Sequence, residues 1–412
     1  MKTMISLYLL ERTINFAILK RVYERMENKR GAGMIYFDNS ATTKAEASVL
    51  RTYQTVSEQF FGNPSSLHQL GEKSRQLLNL SRKQIAVLLN VDNEEIYFTG
   101  GGTEGDNVAV KGTAMAKINY GRHIITSVTE HPAVIKSMEQ LEHLGWDITY
   151  LSVDDKGMIS LKELKQALRK DTILVSLMAV NNETGSLQPI KEVGALLRHY
   201  PSVHFHVDAV QALGKIDLEL SNSRIDIAVF SGHKFHAPKG SGFMYVRKGR
   251  KLAPVLSGGG QENGLRNGTE NVPGNVALAK AVRLLLENQE AKKENLLSMK
   301  NSLLDYLKTF QKVTIFSPEQ SAPHIICFGI KNSRGEVLVH ALEQDEIYIS
   351  TTSACSSREQ GNVHSIKEMG YTIKQAESAV RISLSNMNTS LEIEAFKKQF
   401  SRAYERLTTM EE

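Results

Sequence analysis

Short apolar runs alternate with helical patterns along most of this chain, and that alternation restricts the fold more than any other feature. "EIYFT" precedes "EGDNVAVKGTAMAK", "HIITS" precedes "HPAVIKSMEQLEHLG", "DITYLSV" precedes "SLKELKQALRK", and "TILVSLMAV" precedes "IKEVGALLRHY". Three more apolar runs, "VHFHVDAV", "DIAVFSG" and "GSGFMYVR", follow with little helix between them. Strands joined by helices pair in parallel, and a parallel sheet is covered on both faces. The pattern therefore predicts an α/β fold with a mostly parallel sheet. Ligands of such sheets lie at the carboxyl ends of the strands, which is where functional residues are sought.

The texture changes near Gly258. "SGGGQENGLRNGTENVPG" reads as a long polar loop, and loops of that length inside a domain are usually functional or disordered. A long helical pattern, "NVALAKAVRLLLENQEAKKENLLSMKNSLLDYLKTF", follows and reads as a bridge to a smaller α+β unit. At 412 residues the chain is long enough for both units. The expected division is a large domain over 34–280 and a small one over 281–412. Residues 1–33, basic and roughly amphipathic, read as an N-terminal extension without the cleavage site of a secretory signal.

Bulk properties exclude several functions. A net charge of +5 without a Lys/Arg block gives no nucleic-acid footprint. No apolar run reaches membrane-spanning length. Cys327 and Cys355 are too few for a disulfide framework or a four-cysteine zinc site. Reduced thiols and a cytoplasmic location are the expectation.

The strand ends carry the chemistry. "YFTGGGTEGDN" is a strand, a glycine cluster and a helix start, a geometry that lets backbone approach an anion. It is neither a Walker loop nor a dinucleotide fingerprint, and Glu104 would repel a phosphate that it faced. His204 and His206 share one face of their strand, yet no nearby carboxylate or thiol completes a metal site. Asp208 closes that strand, either as a helix N-cap or as a buried carboxylate that needs a cationic partner. Lys234, in "FSGHKFHAPKG", ends the next apolar run. Such a lysine either snorkels to solvent or is an amine kept for Schiff-base chemistry. The lysine, the aspartate and the glycine/threonine helix start together are what pyridoxal 5′-phosphate requires.

At this point the chain resembles a known family. "YFDNSATT", "FGNPSSLH", "TGGGTEGDN", "TEHPAV", "NNETG", "HVDAVQ", "SGHKFHAPKG", "LRNGTEN", "TSACSS" and "VRISL" occur in the order found in cysteine desulfurases of the NifS/IscS type, from about Ile35 to the C-terminal helix. The resemblance implies a fold-type I pyridoxal-phosphate enzyme of the class-V aminotransferases, with the seven apolar runs above in the sheet of its large domain. It implies a homodimer that takes sulfur from L-cysteine and releases L-alanine. Lys234 would form the Schiff base, Asp208 would pair with the pyridine nitrogen, and Gln211 would reach the phenolic oxygen. His131 would stack on the ring and move protons. Gly102, Thr103, Ser231 and His233 would surround the phosphate, and Thr269 would reach the phosphate of a partner subunit. Asn182 and Arg381 would hold the substrate carboxylate.

Cys355 sits among small polar residues, as in an exposed mobile loop, and the family places its nucleophile in this motif. Cys327, in "HIICFGI", fits a buried apolar site instead. The resemblance thus implies a persulfide on Cys355, passed to a protein acceptor: an iron–sulfur scaffold or, as the "TTSACSS" variant suggests, a tRNA-thiolating enzyme. Rival readings are a selenocysteine lyase or aminotransferase on the same fold, or a sulfur carrier of low turnover. One departure from the family stands in the lysine motif: Ala237 replaces a common glycine, and its methyl is expected to tighten the turn.

Overall fold

The computed structural model describes residues 33–352 and 365–409. A short strand, β1 (Ile35–Tyr36), and helices α1 (Ala47–Gln59) and α2 (Gln69–Leu89) precede the alternating region. The apolar runs then become β2 (Ile96–Thr99), β3 (His123–Ser127), β4 (Asp147–Leu151), β5 (Thr172–Met178), β6 (His204–Asp208), β7 (Ile227–Ser231) and β8 (Gly242–Val246). They form one seven-stranded sheet in the order β2-β8-β7-β6-β5-β3-β4. Strands β4, β3, β5, β6 and β7 pair in parallel, whereas β8 runs antiparallel to both β7 and β2. The α/β class and the mostly parallel sheet follow the sequence pattern.

Every residue of β3, β5, β6, β7 and β8 is buried, as a sheet covered on both faces requires. Helices α3 (Gly102–Lys117), α4 (Pro132–His143), α5 (Leu161–Ala167), α6 (Ile190–Leu197) and α7 (Val272–Leu286) supply much of the cover. Phe205, Val207 and Phe230 pack with Leu197, Leu278 and Val282 on one face. Ile227 and Val229 pack with Val108 and Ala109 of α3 on the other. On β6 this alternation turns His204, His206 and Asp208 towards α3. Their partners there are Thr113 for His204 and Asp106 for His206.

The long helical pattern after the glycine-rich loop is two helices, not one. Helix α7 ends at Leu286, Asn288 takes a left-handed conformation (φ 53°), and α8 (Gln289–Leu307) begins. The break separates two cores. Ala277, Leu278 and Val282 of α7 belong to the large-sheet core, whereas Leu296, Met299, Leu303 and Leu307 of α8 belong to the C-terminal core. That second core is built on a four-stranded antiparallel sheet with Ile325–Ile330 and Ala379–Ser383 at its centre. Phe328, Phe396 and Phe400 fill it.

Strand β1 belongs to this C-terminal unit. It pairs in parallel with Ile347–Tyr348, and Phe37 is wholly buried in the C-terminal core against Phe396. A division by chain order at residue 34 therefore does not hold for residues 35–37. The chain crosses from this core to the large sheet through residues 38–46, and that crossing segment lines the site described next. Among the described residues, no helix is long and apolar enough to cross a membrane.

Candidate active site

Lys234 stands in a short 3-10 turn immediately after β7, where the strand ends and the backbone turns out of the sheet. Its Nζ donates to the carbonyl oxygens of Ser40 (2.5 Å) and Ala41 (2.9 Å). The amine is thus turned inward, to the crossing segment. Beneath the turn, Lys215 Nζ donates to the carbonyl of Lys234 at 3.3 Å. Burial, with the charge of Lys234, lowers the Lys215 pKa to about 8. The left-handed residue of the turn is His236 (φ 66°), not Ala237, so the expected tightening by the Ala237 methyl has no positive-φ position to act on. Ala237 is buried, and its N–H donates to the carbonyl of Gly232 at 3.0 Å.

Asp208 ends β6 one strand away, and its Oδ1 accepts from the Val210 N–H at 2.9 Å. Both readings of this residue meet here, since it caps the following turn and is also buried. Burial raises its pKa, opposed by the neighbouring His131, by the bond from the Val210 N–H and by the charge of Lys234. A carboxylate in this state stays ionised only beside a positive partner. His131 is the N-cap of α4, with Pro132 as the first helical residue. Its Nδ1 accepts from the Ala133 N–H at 3.1 Å, which leaves Nε2 to carry the proton of the neutral ring. Burial holds its pKa below the ordinary value, so the neutral ring is favoured.

The third element is the start of α3. Gly101 adopts φ 147°, a conformation side chains rarely take, and a Cβ on Gly102 would meet Val210 Cγ2 at 2.9 Å. Glycine here lets the helix N-terminus open into the cavity without obstruction. Glu104, in the first turn, is held by Arg266: Nε donates to Oε1 at 2.8 Å and Nη2 to Oε2 at 3.2 Å. The carboxylate that would oppose an anion is therefore neutralised by a residue of the glycine-rich loop. His233, whose Nδ1 lies 3.1 Å from Thr42 Oγ1, has a pKa lowered to about 4 by burial and by Lys234 and Lys239.

These residues line one cavity of about 660 Å³ at the carboxyl ends of β5, β6 and β7. Gly102, Thr103, His131, Asn182, Asp208, Gln211, Ser231, His233, Lys234 and Arg381 all border it. Thr269 does not; it is exposed on the glycine-rich loop. Cys355 lies outside the described residues. Cys327 is wholly buried, and burial pushes its thiol pKa up.

Several participants are not legible as site residues in the chain. Asp38 accepts from Arg381 Nη2 at 2.7 Å, and Asn182 offers Arg381 its backbone carbonyl at 2.9 Å. Gln211 Nε2 donates to the Ser40 carbonyl at 3.0 Å, and its Oε1 lies 3.3 Å from His324 Nε2. Behind Asp208, Asp106 Oδ1 lies 3.4 Å from His206 Nε2, both buried. This carboxylate is the neighbour of His206 that sequence spacing did not reveal, because it comes from the facing helix. Burial lowers the His206 pKa to about 3 and raises that of Asp106, which makes a neutral pair. Among the described residues no group of three His, Cys, Asp or Glu side chains gathers as a metal site.

An inward amine, a buried carboxylate and an open helix N-terminus in one cavity are a donor set for a phosphorylated aromatic aldehyde. Comparison with known proteins agrees with this chemistry. The description of the class-V aminotransferases matches residues 35–396. The chain belongs to that family. Within it, the chain is 50% identical over 375 residues to a NifS/IcsS protein homolog of Lactobacillus delbrueckii subsp. bulgaricus, covering 90% of this chain and 97% of that one. It is 40% identical to the cysteine desulfurase IscS of Methanosarcina thermophila, over 91% of this chain and 93% of the relative. A solved NifS-like protein superimposes with a TM-score of 0.85 at 36% identity, covering 91% of this chain and all of the other. The class-V aminotransferase fold of this chain is thus of the NifS/IscS cysteine desulfurase branch, whose members generally depend on pyridoxal phosphate.

Proposed function

We propose that this chain is a cysteine desulfurase that uses pyridoxal 5′-phosphate to convert L-cysteine into L-alanine and a persulfide on Cys355. The observation that carries the reading is the convergence of Lys234, Asp208, His131 and the α3 N-terminus on one cavity that Arg381 also lines. When bound, the cofactor supplies a sink for the electron pair left as the substrate α-proton departs. The residues fit it. Gly101, Gly102 and Thr103 bring the α3 N-terminus to the cavity, and the Arg266 clamp on Glu104 offsets a carboxylate that would oppose a phosphate there. Asp208, buried and poorly compensated, is suited to a protonated ring nitrogen.

In this reading Lys234 Nζ anchors the cofactor and then takes the α-proton. His131, whose Nδ1 is occupied by the Ala133 N–H, would exchange a proton through Nε2. Asp208 keeps the ring nitrogen protonated. Arg381 and Asn182 orient the α-carboxylate, which aligns the α-hydrogen with Lys234. The Cys355 thiolate attacks the substrate sulfur. The carbon–sulfur bond breaks, its electron pair stays on carbon and is protonated, and the sulfur remains on Cys355. Thiol exchange then passes it to a protein acceptor, either an iron–sulfur scaffold or a tRNA-thiolating enzyme. A homodimer in which Thr269 serves the partner's phosphate, and a cytoplasmic setting with reduced thiols, belong to the same reading.

The test is reconstitution of the purified chain with pyridoxal phosphate, followed by L-cysteine and a thiol acceptor. Alanine and transferred sulfur in equal amounts are expected, with the persulfide mapped to Cys355 by mass spectrometry. A visible cofactor band with amino-group transfer to a keto acid, and no alanine from cysteine, would overturn the reading in favour of an aminotransferase.

A further inference from the structure

Arg381 is almost wholly buried and its charge is balanced from the crossing segment. Nη2 donates to Asp38 Oδ1 at 2.7 Å and Nη1 to the Asn182 carbonyl at 2.9 Å, while Nε is buried without a hydrogen-bond partner. The backbone fixes the acid in place. Asp38 forms an isolated parallel bridge with Ser383, and the Asn39 N–H donates to the Ser383 carbonyl at 3.2 Å. Ser383 and Arg381 share one face of their strand, two residues apart, so the bridge brings the Asp38 carboxylate to the guanidinium.

We infer that Asp38 is a positioning residue for substrate recognition: its carboxylate holds the Arg381 guanidinium against the cavity, in place to receive the α-carboxylate of the incoming amino acid. This rests on the proposed reading of Arg381. Arg381 lines the cavity, and Asp38 and the Asn182 carbonyl take up only part of its donor set, with Nε left unpartnered. An arginine offers donors in a planar fork, so one carboxylate can orient it while another binds. Asp38 is also the more hydrated partner, with its side chain 20% exposed against 6% for Arg381.

The experiment compares L-cysteine with cysteamine, which lacks the carboxylate, for the reconstituted enzyme and the variants Asp38→Asn, Arg381→Gln and the double substitution. Arg381→Gln is expected to abolish most of the preference for cysteine. Asp38→Asn is expected to reduce that preference about ten-fold or more, through KM and with kcat changed much less. The double variant should discriminate no worse than Arg381→Gln alone, because Asp38 acts through the arginine. If Asp38→Asn keeps the preference, or lowers KM for cysteine, while Arg381→Gln loses it, the positioning role is overturned and the function stands. If Arg381→Gln keeps the preference, the carboxylate assignment fails and the role of Asp38 falls with it. Should Asp38→Asn not fold, Asp38→Glu decides, since it keeps the charge and displaces the carboxylate: a preference reduced through KM supports the role, and an unchanged preference overturns it.

Discussion

Lys234 and Gln211 converge on one oxygen: both donate to the carbonyl of Ser40, at 2.5 and 3.0 Å. The amine assigned to cofactor attachment is thus held by main chain from the crossing segment, and no variation of the Ser40 side chain removes that acceptor. Lys234→Ala should fold, because two backbone carbonyls at a solvent-accessible cavity can take water instead. It should show no visible band that survives dialysis against a thiol, and desulfurase activity should fall by at least about 10²–10⁴-fold. A dialysis-stable band in this variant would remove Lys234 from its assigned role.

Glu104 and Arg266 make the second prediction. Arg266→Gln frees a carboxylate in the first turn of α3, where the proposed phosphate site lies. Cofactor affinity, followed by absorbance during reconstitution, should weaken about ten-fold at low salt and less at high salt. Glu104→Gln introduced into Arg266→Gln should restore most of it. No change in Arg266→Gln would show that Glu104 does not act on the anion site.

Backbone conformation gives a third. Gly101 at φ 147° has no strain as glycine, and Gly101→Ala should cost roughly 1–3 kcal/mol of stability. Cofactor retention should fall in parallel, because the same turn opens the helix end. Chemical denaturation and a cofactor-release assay on one preparation would separate the two effects.

Glu130 supplies a pH signature. It is buried and accepts from Ser127 Oγ at 2.7 Å and the Met178 N–H at 3.0 Å, and burial raises its pKa from 4.5 to about 8. Below pH 4.5 both folded and unfolded chains hold the proton. Between 4.5 and about 8 only the folded chain holds it. The stability due to this raised pKa is therefore complete below the unfolded value and is lost as pH rises through the folded one. Glu130→Gln has no proton to lose. Its unfolding free energy from urea titration should gain on the parent as pH rises from about 5 to 8, by up to about 1.4 kcal/mol per pH unit. A pH-independent difference would show that Glu130 is ionised when buried.

The two cysteines should behave oppositely. Cys327 is enclosed in the C-terminal unit and its burial disfavours the thiolate, so native protein should take up alkylating agent at Cys355 alone. Cys355→Ser should retain cofactor and lose persulfide. Cys327→Ala should keep sulfur transfer and lose stability through a small cavity. Alkylation of Cys327 in the folded chain would contradict its enclosure.

What could be read in the chain was whatever is local. Short apolar runs alternating with helical patterns marked the large sheet, and the residues closing those runs, Asp208 and Lys234, marked the cavity. The helical break at Asn288 was hidden because leucines continue on both sides of it, serving two different cores. Asp38 closes the apolar run "IYF" much as Asp208 closes its own, and that shared position was the available signal for it. Its partner Arg381 is remote in sequence, so pairing could not be read from spacing. The same holds for Glu104 with Arg266 and for Asp106 with His206, where each partner arrives from a different element. Thr269 remains a proposal about a second subunit, and the role of Cys355 rests on its motif.

Strand β1 and Asp38 are synthesised long before their partners, Ile347–Tyr348 and Ser383. The carbonyls that grip Lys234 and the acid that grips Arg381 have no fixed position until then. A nascent chain therefore cannot assemble its catalytic chamber until the strand Ala379–Ser383 has emerged, and a product cut short before it should be unable to capture cofactor.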